Sequence, residues 1–423
     1  MAKGHKKKQQ AAKVNYKQQH RQISKHAKQE NSAKQGMQTN AEGEFSFHIQ
    51  AYDTWFFRES RPHDAAGASE LSSLFPPPIR TLAGALRTYL GEQLDIDWTT
   101  LKCPNSHFDF EASLGNAEHL GALKLKGPWV SFKNQRLYPA PLYLMQKEKE
   151  VTRLQIGSAV QCDLGNVRLP EMPEGCIGYK TMEQKWLTSK GLRACLDGGV
   201  PAESEVINKD QLFSYEPRLG IARNNSTRTV KDGQLYQTQH LRLRSDVHIV
   251  LDASELDSEL CQVLDNKPPA ILRLGGEGRM ASLQAQKQYE PLPFINPKQV
   301  KRLIVHFISP ANFRGEMFPA GFKKTEQAGQ TVWQGTLNGI SLTIEAAVIG
   351  KAHREGGWDM KNHQPRPVKS YLPAGTAWYC SLTEKTDWET VEAALQGRCI
   401  GEENAYGRGQ IVIGQWFEYK SNK

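Results

Sequence analysis

Two glycine-rich turns, each close to a short helix and a strand, constrain this fold more than any other feature of the chain. The first, Gly275-Gly276-Glu277-Gly278-Arg279, follows an apolar, strand-like run over 270–274. The second, Gly407-Arg408-Gly409, precedes a strand-like run over 410–417. A helix is expected ahead of each: one capped by Ser254 and running to Leu264, with Asp257 at its third position, and one over 387–395. Helix, glycine turn and strand thus occur together twice, with the strand before the first turn and after the second. That recurrence points to an α+β architecture of two related halves. A pair of ferredoxin-like β-α-β-β-α-β units fits it better than a doubly wound sheet.

The rest of the pattern fills in the two units. Residues 45–52 alternate as a half-buried strand should, and Ile79, Leu82, Ala83, Leu86, Tyr89 and Leu90 keep helical spacing. Strands are expected within 235–251, 300–309, 340–349 and 368–382. Residues 95–215 mix many Pro and Gly without clear period, so they read as insertions on a scaffold. The expected division is a basic tail over 1–43, a first ferredoxin-like domain with large insertions over 44–293, and a second over 294–423.

Charge is distributed very unevenly. Residues 1–40 hold ten of the 54 Lys and Arg and one of the 45 Asp and Glu, which accounts for the whole formal charge of +9 and leaves 44 of each sign elsewhere. The body is therefore neutral on average, and any nucleic-acid footprint on it must be a local patch. The tail has too few large apolar residues to fold alone, and it reads as a disordered arm suited to non-specific nucleic-acid contact. No apolar run approaches the ~18 residues that span a membrane. The seven cysteines are scattered without a C-x-x-C pair, so a reducing, cytoplasmic setting without a zinc site or disulfide framework is expected.

Familiar catalytic and nucleotide motifs fail on inspection. Gly276-x-Gly278-x-x-Ala281 partly matches a dinucleotide fingerprint, but the next good strand ends at Ile308-Ser309-Pro310 without the required acid. No Walker loop, H-E-x-x-H or G-x-S-x-G is present. His63-Asp64 stands as a lone pair, while His48, His240, His248 and His306 lie in strand-like runs where structural histidines are common. Any one of them has the chemistry of a general acid or base for RNA cleavage. No cofactor is indicated.

A denser cluster spans 215–229, where Arg218, Arg223 and Arg228 recur every five residues among hydroxyl and amide side chains. It shows neither helical nor strand period and reads as a loop suited to phosphate and sugar contacts. This loop, Gly233-Gln234-Leu235-Tyr236, the turn 275–279, Phe75-Pro76-Pro77 leading to Ala83-Gly84-Ala85-Leu86-Arg87, Phe57-Arg58-Glu59-Ser60-Arg61-Pro62 and Tyr371-Leu372-Pro373-Ala374-Gly375-Thr376 occur in an ordered series. In that series the chain resembles the RAMP superfamily of CRISPR systems, and within it the third-subunit family of Cmr (type III-B) effector complexes. The resemblance covers about 45–417.

The resemblance implies two domains related to RNA-recognition (RRM-like) folds, with glycine-rich loops on a guide RNA. It implies binding of the 5′ handle of a CRISPR RNA beside a large polymerase-like subunit and a backbone RAMP subunit, with target RNA met only indirectly and no membrane involved. Catalysis is not expected. Gly275, Gly276, Gly278 and Arg279 would form one RNA-contacting turn, and Gly407, Arg408 and Gly409 its counterpart. Arg218, Arg223 and Arg228 would lie in the characteristic loop with Arg58 and Arg87 near it. The aromatic signature of RNA-recognition domains is absent, so base stacking on the sheet in the usual mode is not expected. The alternative is a metal-independent RAMP endoribonuclease that processes CRISPR precursor RNA with a histidine such as His48 or His63.

Overall fold

Alternation in the first ordered run produces strand β1 (Phe45–Ala51), which buries Phe45, Phe47 and Ile49 on one face. The structure is a computed structural model that describes residues 38–39, 43–59, 70–103, 107–265, 267–297 and 301–417. Nearly all of the basic tail, and His63-Asp64, lie outside the described residues. Helix α1 (Ile79–Gln93) buries the whole expected stripe, from Ile79 through Leu90, against β1 and its neighbours. Pro78 stands at its N-cap, so the proline run ends where the helix begins.

The longer elements that follow are β2 (Lys124–Phe132), β3 (Gln135–Pro139), β4 (Phe213–Arg223), β5 (Val230–Leu243), β6 (Val247–Ser254), α2 (Ser258–Leu264) and β7 (Met280–Gln286). Then come β8 (Arg302–Phe307), β9 (Ile340–Val348), β10 (Ala377–Leu382), α3 (Trp388–Leu395) and β11 (Ile411–Gln415). An eight-stranded sheet has β2-β6-β1-β7 at its centre, with every one of these neighbours antiparallel. A six-stranded sheet contains β9-β10-β8-β11, again antiparallel throughout. In each set the first and third strands in sequence are central and the second and fourth flank them. A helix follows the third strand in both. After the first strand, the earlier unit has α1, whereas the later one has the strand pair Lys323–Gln327 and Gln330–Leu337. The class is mixed α/β with mostly antiparallel sheets and few helices.

Two apolar clusters form the core. The helix side of the first sheet packs on α1 and α2. From the opposite face, Trp129, Tyr138 and Val250 join the cluster of the second sheet, around the fully buried Trp378. Tyr406, far along the chain, packs into the first cluster. The face of the first sheet that would be open in an isolated unit is therefore partly covered by the second.

Three expectations need correction. The segment 216–229 is not an aperiodic loop but the body and tip of the β4–β5 hairpin, paired from Phe213↔Leu243 to Arg223↔Val230. Its alternation is inverted: Leu219 and Ile221 are 73% and 52% exposed while Glu216 and Arg218 are half-buried. A strand that stands clear of the core need not show the usual apolar stripe. Residues 95–215 are not all insertion, because β2 is a central strand whose alternation is broken by Gly127-Pro128 at a register shift opposite Val250 and Asp252. Helix α2 starts after Asp257, whose Oδ1 accepts from Glu259 N at 2.9 Å, and not at Ser254, which ends β6.

Candidate RNA-contacting surface

The turn at 275–279 sits on the chain just after β1. Gly276 N donates to Phe56 O at 2.8 Å, and Leu274 N donates to Arg279 O at 2.8 Å. Gly275 has φ +93°, and a Cβ there would stand 3.0 Å from Phe56 O, so glycine is required by both conformation and space. The tip residues Gly276, Glu277 and Gly278 face outward. Phe56 stacks on the His240 ring with centroids 5.2 Å apart, which ties the turn to β5.

Arg279 and Arg218 meet at one carboxylate. Asp53 Oδ2 lies 3.3 Å from Arg279 Nη1 and 3.1 Å from Arg218 Nη2, and its Oδ1 accepts from Arg242 Nη2 at 2.9 Å. Glu216 holds Arg218 at 2.7 Å and Arg242 at 2.5 Å, and Glu277 stands 3.6 Å from Arg279. Burial opposes ionisation of Asp53, but bonds from Arg242 and Arg218 prevail and lower its pKa. The same two arginines lower Glu216. Three arginines and three acids thus form a half-exposed network without net charge. Asp53 escapes a reading by local motif because its three arginine partners are 165, 189 and 226 positions away.

Beyond this network the hairpin carries Arg223 and Arg228 to its end, where both are exposed. Asn224 Oδ1 accepts from Ser226 N at 3.0 Å and from Ser226 Oγ at 2.7 Å, shaping the tip, and Arg228 takes φ +58° within it. Five residue steps of extended chain from Arg218 to Arg223 separate the tip from the network by roughly 16 Å. Arg58 is exposed and pairs through its backbone with Ser73.

The second glycine turn is placed differently. A Cβ on Gly407 would stand 2.8 Å from Leu125 O of β2, and one on Gly409, at φ +68°, would stand 2.0 Å from Ile400 O. Arg408 is 4% exposed, binds Glu355, and lies 4.4 Å from the Tyr371 ring centre. Glu403, at the start of this turn, is bound by Arg80, Lys369, Tyr371 and Asn312. Burial pushes its pKa up, yet Arg80 and the other donors hold it at about 2. This turn joins the two sheets. Arg87 likewise points inward, donating to Asn116 O at 2.8 Å and Gly115 O at 2.7 Å.

The histidines are also structural in placement. His306 is buried, with neither ring nitrogen hydrogen-bonded within the described protein, and burial lowers its pKa to about 3. His240 lies between Thr54 and Glu277, and burial lowers it despite the Glu277 carboxylate. His48 Nδ1 stands 3.0 Å from His248 Nε2, and burial followed by repulsion from His248 brings His48 to about 4. Among the described residues no group of three His, Cys, Asp or Glu is arranged to hold a metal ion.

Comparison with known proteins agrees with the earlier resemblance. A CRISPR system CMR subunit Cmr3 from Saccharolobus solfataricus is 32% identical over 74 residues, or 18% of this chain and 22% of that protein, so the match spans about a fifth of the relative. A solved type III-B Cmr-beta complex bound to cognate target RNA contains a chain at 15% identity and TM-score 0.42, with 79% of this chain and 86% of that one covered. The same complex with target RNA and AMPPnP gives 16% identity and TM-score 0.41, over the same shares of the two chains. The family model for the CRISPR-associated protein (Cas_Cmr3) matches residues 47–416, and the chain belongs to that Cmr3 family.

Proposed function

We propose that this chain is a non-catalytic RNA-binding subunit of a type III-B CRISPR effector complex. It holds the 5′ handle of the CRISPR RNA and docks the large polymerase-like subunit beside the first backbone RAMP subunit. Each four-strand set is a ferredoxin-like unit, the second having exchanged its first helix for a strand pair, with the division falling near residue 293. The observation that carries this reading is the β4–β5 hairpin, which presents Arg223 and Arg228 at an exposed tip. Family membership supports it. A handle of fixed sequence can be held by arginine forks and backbone N–H groups without any proton-transfer pair.

Arg58, Arg223, Arg228 and the tip of the turn at 276–278 contact RNA directly. Arg218 and Arg279 do so by exchanging Asp53 for phosphate. Arg87, Gly407, Arg408 and Gly409 shape the scaffold that presents them. The test is purification of the tagged chain from its host with whatever RNA and proteins accompany it, followed by sequencing of the RNA. Guides sharing one constant 5′ end are expected. Repeat RNA incubated with the protein in EDTA is expected to stay intact; clean cleavage abolished by His48→Ala would replace this reading with the endoribonuclease.

A further inference from the structure

The excursion over 351–369 brings together groups that neither the hairpin nor the turn uses. It pairs His353–Glu355 with Lys369–Tyr371 at its base, and Trp358–Asp359 with Gln364–Pro365 further out. Its two acids turn inward: Glu355 is 7% exposed and bound by Arg408 and His353, and Asp359 is 7% exposed and accepts from Lys361 N, Asn362 N and Asn362 Nδ2. Lys351, Arg354 and Lys361 are exposed and have no ion pair among the described residues. Strand alternation around Asp359 leaves Trp358 and Met360 outward, at 54% and 75% exposure. Lys361 also lines a cleft of about 500 Å³ together with Trp98, itself 46% exposed.

We infer that this excursion is a second binding site for single-stranded RNA, with Trp358 as a stacking platform. Lys351, Arg354 and Lys361 are the phosphate contacts. An exposed indole and exposed cations on one excursion whose acids are buried form a combination that binds single strands without regard to sequence, because every base has a π-face. Glu355 is paired with Arg408, and Asp359 has Arg366 at 3.8 Å, which weakens the repulsion a phosphate would meet here. Choosing RNA over DNA rests on the function proposed above, but the patch itself is independent of the hairpin.

The test uses the intact chain and a fluorescently labelled, unstructured single-stranded RNA, with anisotropy measured over a range of salt concentrations. Trp358→Ala is expected to weaken binding about 5- to 150-fold, with Trp358→Phe retaining most of the affinity. The triple change Lys351→Gln, Arg354→Gln and Lys361→Gln is expected to reduce the log–log salt slope by about 2, from ~0.7 per contact. Arg223→Gln with Arg228→Gln is measured in parallel. If that pair weakens binding while the excursion variants match the wild type in affinity and slope, the excursion site is overturned and the hairpin reading stands. Weakening by the excursion variants alone upholds this site and overturns the hairpin. An intact chain without RNA affinity overturns both.

Discussion

Arg279 and Asp53 lie 3.3 Å apart across the first glycine turn, and the same carboxylate also binds Arg218 and Arg242. One acid therefore gathers three guanidinium groups on a surface only half exposed. On the function proposed above, a phosphate approaching this surface would compete with Asp53 for its ligands. In that reading the network holds its own anion in the phosphate's place.

Replacing that anion should expose the site. Asp53→Asn is expected to strengthen single-stranded RNA binding several-fold and to steepen its salt dependence, since each added phosphate contact contributes ~0.7 to the log–log slope. Arg279→Ala is expected to weaken binding. Anisotropy titrations in which both changes weaken it equally would assign the network to folding alone.

The Arg408–Glu355 pair should behave in the opposite way. Both partners are under a tenth exposed, so removing one leaves the other charged and buried. Arg408→Ala is expected to cost about 3–5 kcal/mol in chemical denaturation, with less loss when both are replaced by apolar residues of similar volume. RNA affinity of the folded variant should stay within a few-fold of the parent; a selective loss at unchanged stability would place Arg408 on RNA after all.

Acid should destabilise the fold in two stages. His48 and His306 titrate near 4 and 3 when folded, below the ordinary 6.5, so the unfolded chain binds more protons and stability declines as pH falls from about 6.5. Glu403, held near 2 against an ordinary 4.5, adds a loss as pH falls from about 4.5 toward 2. Urea midpoints between pH 8 and 3 check both. Glu403→Gln should shrink the second stage, which the lowered Asp53, Glu216 and Glu355 share, and a profile identical to the parent would contradict the role of the Arg80–Glu403 contact.

The glycines should rank by what a methyl group would strike. Gly278→Ala meets open space and bears only the left-handed backbone cost, about 1–2 kcal/mol. Gly409→Ala also drives into Ile400 O, so a larger loss is expected, seen as a lower melting temperature. Equal losses would show that the 401–409 segment relaxes freely.

Local pattern made much of the scaffold legible. The α1 stripe, the alternation of β1 and the helix expected over 387–395 each depend on neighbours within a turn or strand, and each is observed, the last as α3. Strand β5 lies largely within the expected 235–251 run, but β4 was hidden because its outward residues Leu219 and Ile221 are apolar and its half-buried ones are Glu216 and Arg218. At the candidate site, Arg218 and Arg279 were visible as residue types beside a turn. Their shared partner Asp53 was not, because strand pairing brings it from 165 and 226 positions away. The two glycine turns looked alike in sequence and differ because one lies on a rim and the other in a seam.

Tyr406 fills part of the first core, yet in the chain it lies between α3 and β11 of the second strand set. During synthesis, α1 and β2 leave the ribosome long before the ring that packs against them. The first unit keeps part of its apolar surface uncovered until the segment around Tyr406 has emerged, so the completion of its core waits on the unit that follows it.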